Sequence, residues 1–240
     1  MLELQNVSWK LENGEEILKD ISLTVKPGKL TVITGPNGGG KTTIAKLIAG
    51  IETPTSGKII FDGEDITNLD TTMRAKKGIS YAFQQPVRFK GITVRDLLKL
   101  SAGEKLKEAD FCELLGNVGL CTRDYINREV NSSLSGGEIK RIEIATILAR
   151  DTKLSVFDEP EAGIDLWSFK GLIEVFEKQK TQKNRSMLVI SHQERILKIA
   201  DEIIVVANGK VRTSGTSEQI LPELLRGEAE SSCPINKEVF

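Results

Sequence analysis

Residues 35–42 read Gly35, Pro36, Asn37, Gly38, Gly39, Gly40, Lys41 and Thr42, directly after the β-rich run 29–35 (KLTVITG) and directly before the apolar helical run TTIAKLIAGI. The glycines let the backbone curl so that successive N–H groups point inward at an anion, and the positive end of the following helix dipole adds to that attraction. The spacing fits G-x-x-x-x-G-K-[ST], in which the lysine meets the β- and γ-phosphates and the hydroxyl residue meets a divalent cation. Lys41 and Thr42 take those positions here, with Thr43 beside them. A glycine-rich loop fixed between a strand and a helix commits the chain to an α/β fold.

The rest of the chain supplies the other strands. Leu2, Leu4 and Val7 alternate as in a strand, and residues 17–25 form a second one, closed by the Pro27-Gly28 turn. Asp62-Gly63 and Asn208-Gly209 lie between short apolar runs and predict hairpin turns. Residues 153–158 (KLSVFD) and 186–191 (SMLVIS) are continuously apolar, as expected of parallel strands covered on both faces. Between them Trp167, Phe169, Leu172, Ile173 and Phe176 fall on a helical period and predict core packing. Residues 85–150 differ: VRDLLKLSA, EADFCELLGNV and IKRIEIATILAR are helical patterns with no strand between them. The expectation is one domain over residues 1–225, with a core of 1–84 and 151–225 and a helical lobe inserted at about 85–150. Residues 226–240 predict a polar, loosely held tail.

Composition narrows the partners. Lysine and arginine number 33 against 34 aspartate and glutamate, a net charge of −1, so no general electrostatic drive points toward nucleic acid or an acidic membrane surface. The longest apolar runs are strand-sized, well short of the roughly 20 residues of a membrane helix, so no direct membrane insertion is expected. The acidic start Met-Leu-Glu-Leu is no secretory signal, and the expectation is a cytoplasmic protein. Cys112, Cys121 and Cys233 are too few and too scattered for a disulfide framework or a metal cluster.

Two further motifs carry chemistry. The strand at Leu154, Ser155, Val156 and Phe157 ends in Asp158 and Glu159. Behind a phosphate-binding loop, the first carboxylate can hold Mg²⁺ and the second can orient or deprotonate an attacking water. Ser135, Gly136 and Gly137 open a long helix and offer a hydroxyl and free N–H groups, a second anion site. A chain with one phosphate loop has most use for a second such site if it serves a phosphate held by a partner subunit.

The order, spacing and sequences of these motifs resemble the nucleotide-binding domain of ABC proteins over residues 2 to about 225. The resemblance implies a P-loop NTPase (RecA-like) core with an N-terminal antiparallel β subdomain and an inserted helical lobe, binding ATP with Mg²⁺. It implies that Gln84, in FQQP, is the lid glutamine joining core to lobe and touching Mg²⁺. Asp165, ending EPEAGID, matches the aspartate that speaks across the dimer. His192 in VISHQ, the only histidine, matches the switch residue at the γ-phosphate. Leu11 aligns with the residue that stacks on adenine in such proteins; Trp9 is expected to pack. A second copy of the chain is the implied partner in the ATP state.

The stretch Gly-Gly-Glu-x-Lys-Arg-x-Glu after Ser135 is similar to SufC, the soluble ATPase of iron–sulfur cluster assembly, as are AFQQPV, the loop at Glu161, Ala162, Gly163, Ile164 and Asp165, and HQERIL. Pro160 is transporter-like, and the lobe is shorter. That similarity implies a SufB/SufD-like scaffold as partner; the alternative is the permease of a membrane ABC transporter. Either would dock near residues 84–99, where Phe89, between Arg88 and Lys90, is expected to face outward as an anchor, with Ile92 and Val94 packing the lobe.

Overall fold

The computed structural model describes residues 1–103, 106–150, 152–181 and 185–231, the side chains of Trp167 and residues 227–231 excepted. In chain order it contains β1 (Leu2–Lys10), β2 (Glu16–Val25), β3 (Leu30–Thr34), α1 (Lys41–Ala49), β4 (Ser56–Phe61), β5 (Glu64–Asp65), α2 (Thr71–Lys76) and β6 (Ile79–Ala82). There follow α3 (Val94–Ala102), α4 (Glu108–Asn117), α5 (Thr122–Tyr125), α6 (Gly136–Ala149), β7 (Leu154–Asp158), α7 (Leu166–Lys180), β8 (Ser186–Ile190), α8 (Glu194–Ile199), β9 (Glu202–Ala207), β10 (Lys210–Thr216) and α9 (Ser217–Ser231).

Two sheets result. One is antiparallel, in the order β2-β1-β4-β5, and the other runs β10-β9-β3-β8-β7-β6. Strands β9, β3, β8, β7 and β6 are parallel, and β10 returns antiparallel on β9. The turns expected at Asp62-Gly63 and Asn208-Gly209 join β4 to β5 and β9 to β10. All four residues have positive φ (51°, 83°, 53° and 73°), the conformation that two-residue hairpins demand.

Every residue of β3 and β8 is buried, Thr31, Thr34 and Ser186 included, as expected of largely apolar strands covered on both faces. The pleat sorts them. Leu30, Val32, Met187, Val189 and Phe157 join the core on the lobe side, while Ile33, Leu188, Ile190, Leu154 and Val156 pack with α1 and the antiparallel sheet. From α7, Phe169, Leu172 and Phe176 are buried and Ile173 packs against them, as expected; the Trp167 side chain lies outside the described residues. Trp9 packs partly buried on the antiparallel side, whereas Leu11 is exposed.

Residues 94–149 form the lobe, α3 to α6, in which the one strand-like pairing among the described residues is an isolated bridge between Thr93 and Glu129. Val94 is fully buried in the lobe and Ile92 partly so. Past the core, α9 crosses the expected boundary at 225 and runs to Ser231, because Glu228, Ala229 and Glu230 are good helix formers. The remainder of the tail, Cys233 included, lies outside the described residues; Cys112 and Cys121 are exposed thiols. Among the described residues no helix is long and apolar enough to cross a membrane.

The C-terminus of α1 has an unusual cap. Arg74, from α2, is 1% exposed, and its guanidinium donates to the carbonyls of Leu47 and Ile48 in the last turn of α1 and to those of Thr67 and Leu69. The negative end of the helix dipole thus faces a buried cation. Burial lowers that group's pKa to about 10, which still leaves it charged at neutral pH.

Candidate functional site

The phosphate loop lies where β3 meets α1, and its glycines are required by packing as well as by turn geometry. Gly35, Gly38 and Gly40 have φ of 133°, 75° and 101°. A Cβ on Gly35 would meet the carbonyl oxygen of Val206 in β9 at 2.0 Å, and one on Gly39 would meet the same oxygen at 2.9 Å; around Gly38 there is open space. The loop is therefore moulded against the end of β9. The Lys41 ammonium folds back into it, donating to the carbonyls of Gly35 (2.7 Å) and Pro36 (2.9 Å). Burial pulls that ammonium below the usual lysine range, opposed by the charges of Glu159 and Asp158. Pro36, Asn37 and Gly38 are exposed, while Thr42 and Thr43 begin the first turn of α1 half-buried.

Asp158 ends β7 fully buried. Its Oδ1 accepts from Thr42 Oγ1 at 3.2 Å, and its Oδ2 accepts from the Tyr81 hydroxyl of β6 at 3.1 Å. Burial raises the Asp158 carboxyl above the ordinary aspartate range, opposed by those two hydrogen bonds, and burial with the adjacent Asp158 charge pushes the Tyr81 hydroxyl up strongly. Glu159 has φ of 46°, a left-handed conformation rare for such a residue, held by its N–H on Ile190 (3.0 Å). This turns its carboxylate to Gln84, whose Nε2 donates to Oε2 at 2.7 Å. Backbone held in a sparsely populated region at a strand end is a recurring mark of functional sites.

The structure therefore joins the loop, Thr42, Asp158, Glu159 and Gln84 in one connected set. His192, exposed just after β8, shares a cleft of about 560 Å³ with Gly35, Pro36 and Asn37. Ser135, Gly136 and Gly137 stand apart. No hydrogen bond joins them to the phosphate loop among the described residues. Ser135 caps α6 through a reciprocal pair with Glu138, its side chain accepting from Glu138 N–H (3.2 Å) and its own N–H reaching Glu138 Oε2 (2.7 Å). A hydrogen bond from Tyr125, with the Ser135 N–H, pulls the Glu138 carboxyl down to about 2. A Cβ on Gly137 would meet Gly163 O at 2.7 Å, so the signature turn packs tightly on the loop that leads to Asp165. Asp165 itself caps α7, accepting from Ser168 N–H (3.0 Å) and Oγ (2.6 Å).

Residues to which the motifs gave no role also contribute. Tyr81 orients Asp158 from the neighbouring strand. Glu161 is desolvated, which raises its carboxyl above the usual range, and it accepts from the hydroxyl of the fully buried Ser191 at 2.5 Å and from His192 N–H. The sequence placed it only in the loop that resembles SufC; its tie to the switch loop comes from the fold. Phe89 differs from the expectation: its N–H donates to Val130 O (2.8 Å), and its ring is half-buried against the lobe core beside Leu97, Ile139 and Ile142. The outward apolar side chains there are Phe83 and Val87, 41% and 43% exposed.

A hydroxyl and a carboxylate in contact, with Gln84 close by through Glu159, suit a hard divalent cation. Among the described residues no cluster of three or more His, Cys, Asp or Glu is placed to hold a metal. An ion held here would draw its other ligands from phosphate and water, which is the habit of Mg²⁺.

Comparison with known proteins shows the family. The family described as ABC transporter matches residues 18–162. An uncharacterized ABC transporter ATP-binding protein of Methanocaldococcus jannaschii is 42% identical over 215 residues, 86% of each chain. A probable ATP-dependent transporter, ycf16, of Cyanophora paradoxa is 33% identical over 233 residues, 91% of this chain and 89% of the relative. The solved dimeric structure of a bacterial ABC transporter cassette superposes with a TM-score of 0.81 at 25% identity, covering 90% of this chain and 99% of that one. With the phosphate loop, the two carboxylates and the signature turn arranged as described, this chain belongs to the ABC transporter family as an ATP-hydrolysing nucleotide-binding domain.

Proposed function

We propose that this chain works as one half of a head-to-tail pair closed by MgATP, each nucleotide lying between Lys41 of one copy and Ser135 of the other. ATP hydrolysis is the family's activity. Its assignment to particular residues rests on one observation: Gln84 reaches Glu159 at 2.7 Å while Thr42 reaches Asp158 at 3.2 Å. Glu159 orients and deprotonates the attacking water, Lys41 holds the phosphates, and His192 meets the γ-phosphate across the cleft it shares with the loop. Thr42, Asp158 and Gln84 would hold Mg²⁺, which supplies charge neutralisation for the phosphates. Asp165 acts across the pair. The pairing is supported by the separation of Ser135, Gly136 and Gly137 from the chain's own phosphate loop, and by the dimeric state of the similar cassette. Binding of ATP does the mechanical work through its greater affinity for the closed state, and hydrolysis resets it.

The test is Glu159→Gln. It should retain ATP binding, lower turnover by at least about a hundredfold, the scale of a lost general base, and accumulate a MgATP-dependent dimer on gel filtration. Near-normal turnover would remove Glu159 from the chemistry.

For the partner we favour a soluble SufB/SufD-like scaffold in the cytoplasm, on the similarity of the Gly-Gly-Glu-x-Lys-Arg-x-Glu stretch, the lid sequence and the loop at Glu161 to SufC. A second reading, a membrane permease with the chain peripheral to the bilayer, is favoured by the names of the relatives, an ABC transporter ATP-binding protein and a probable ATP-dependent transporter among them. Both partners would meet the lobe beside Phe83 and Val87. Affinity capture from cells with the wild-type chain, and with Val87→Asp as the control that should lose the partner, separates them. Recovery of a permease and no scaffold would end the iron–sulfur reading.

A further inference from the structure

Two charged residues of α6 are buried in positions that no step of hydrolysis requires. Lys140 is fully buried and the Glu143 side chain is 15% exposed, with Nζ and Oε2 3.5 Å apart. Both side chains also bind one shared residue. Glu143 Oε1 accepts from the N–H of Phe83 at 3.0 Å, and Lys140 Nζ donates to the carbonyl of the same Phe83. The ammonium also reaches the carbonyls of Gln84 (3.4 Å) and Asp158 (3.5 Å).

Phe83 lies where β6 gives way to the lid. β6 is the edge strand of its sheet, so beyond Ala82 the chain loses its ladder partner, and α6 satisfies the backbone in its place. Stability does not account for using charges there. A buried ion pair is often no more stabilising than well-packed apolar residues of similar volume, and burial works against both ions, raising the Glu143 carboxyl and lowering the Lys140 ammonium. What the pair provides is direction: one helix grips the donor and the acceptor of the residue before Gln84 and touches the peptide between Asp158 and Glu159. The same helix opens at Ser135.

We propose that Lys140 and Glu143 are positioning residues that fix Gln84 and Glu159 from α6. The inference rests on the assignment of Gln84 and Glu159 to hydrolysis.

The experiment compares the double variant Lys140→Met/Glu143→Leu, the isosteric Glu143→Gln and the control Gln84→Ala. Each is measured for kcat, the Mg²⁺ concentration giving half-maximal rate, the ATP dissociation constant and Tm. The double variant keeps the volume of the pair and should fold. Its kcat should fall about tenfold or more, as for misplaced catalytic groups, and its half-maximal Mg²⁺ should rise about tenfold, the usual effect of losing an outer-shell support. ATP affinity should stay within about twofold, because the phosphate loop is untouched. Glu143→Gln should shift Mg²⁺ dependence in the same direction by less, and it carries the test if the double variant does not fold. Unchanged Mg²⁺ dependence in either folded variant, with Gln84→Ala shifted, would overturn the positioning role alone. Unchanged Mg²⁺ dependence in Gln84→Ala would instead overturn the lid assignment beneath it.

Discussion

Three glycines of the phosphate loop should respond differently to one added methyl group. Gly38→Ala places a Cβ in open space at φ of 75°. The left-handed conformation costs about 1–2 kcal/mol for an L-residue, and the stiffer unfolded chain returns about 0.4–1 kcal/mol, for a net loss near 1 kcal/mol. Gly39→Ala puts the new atom 2.9 Å from Val206 O and 3.0 Å from Pro36 O, both backbone. Neither atom can step aside alone, so about 2 kcal/mol is expected, within the range for overpacking. Gly35→Ala demands 2.0 Å from Val206 O at φ of 133°. The loop must leave β9 by more than 1 Å, adding overpacking of about 3 kcal/mol to strain of about 1 kcal/mol or more. These losses divide between folding and binding, because a loop that relaxes in the free protein must be restored around phosphate. The proper measure is the sum of the change in unfolding free energy and the change in ATP binding free energy. Thermal denaturation and titration with a fluorescent ATP analogue supply the two terms. For Gly35→Ala a total near 4 kcal/mol, read wholly in affinity, is about a thousandfold. Should Gly38→Ala cost as much as Gly35→Ala, the glycines would answer to the approach of the ligand, and the moulding against Val206 would be wrong.

Other perturbations follow from the same contacts. Lys41→Ala should weaken ATP binding itself, whereas His192→Ala should bind ATP well and hydrolyse it slowly, since its contact belongs to the closed state; equal loss of affinity in both, by titration, would refute the switch role. Arg74→Met leaves four carbonyls without their charged donor at about 1 kcal/mol each, partly offset by removing a buried cation. A net loss of about 3 kcal/mol should lower Tm by about 6–12 °C for a chain of this size, and an unchanged Tm would deny the cap its role. Glu161→Gln removes a carboxyl whose pKa is raised on folding by burial. The raised value means that the charged form destabilises the native state as pH climbs above the ordinary glutamate range, and that this penalty is absent below it. The variant should therefore gain Tm over the wild type at pH 8 and lose that advantage by about pH 4, near the unperturbed glutamate value; a gap independent of pH would contradict it.

What could be seen in the sequence was local. The phosphate loop and the Asp158–Glu159 pair declare themselves through spacing and through the strand and helix beside them, and the structure brings them together through Thr42 and Asp158. Hairpins at Asp62-Gly63 and Asn208-Gly209 were legible because two consecutive positive φ values select those residue pairs. Tyr81 was not, since its value depends on β6 lying beside β7, a neighbour from far along the chain. Lys140 and Glu143 fall in a helical pattern that carries no local sign of their burial; the lid folding over them makes them interior. Phe89 deceived for the opposite reason. Its charged neighbours are indeed exposed, yet the main-chain bond to Val130 turns the alternate side chain inward, and exposure falls to Phe83 and Val87. Near the C-terminus, polarity suggested a tail from 226, while helix propensity carries α9 to Ser231.

The turn at Asn208-Gly209 bears on the order in which this protein matures. Gly209 N–H donates to Gly39 O at 3.2 Å, Lys19 N–H donates to Gly209 O at 2.8 Å, and a Cβ on Gly209 would meet Ile17 O at 2.2 Å. The turn is wedged between the phosphate loop and β2, just beyond the Val206 oxygen on which Gly35 and Gly39 rest. During synthesis the loop's own sequence leaves the ribosome well before the strand and turn against which it is moulded. Contacts so far apart along the chain form late. Until β9 and β10 have emerged and docked, the nascent chain holds the whole phosphate motif without the surface that shapes it. Competence to bind ATP is thus expected only once β9 and β10 have docked, by which point the lid and the helical lobe have already been translated.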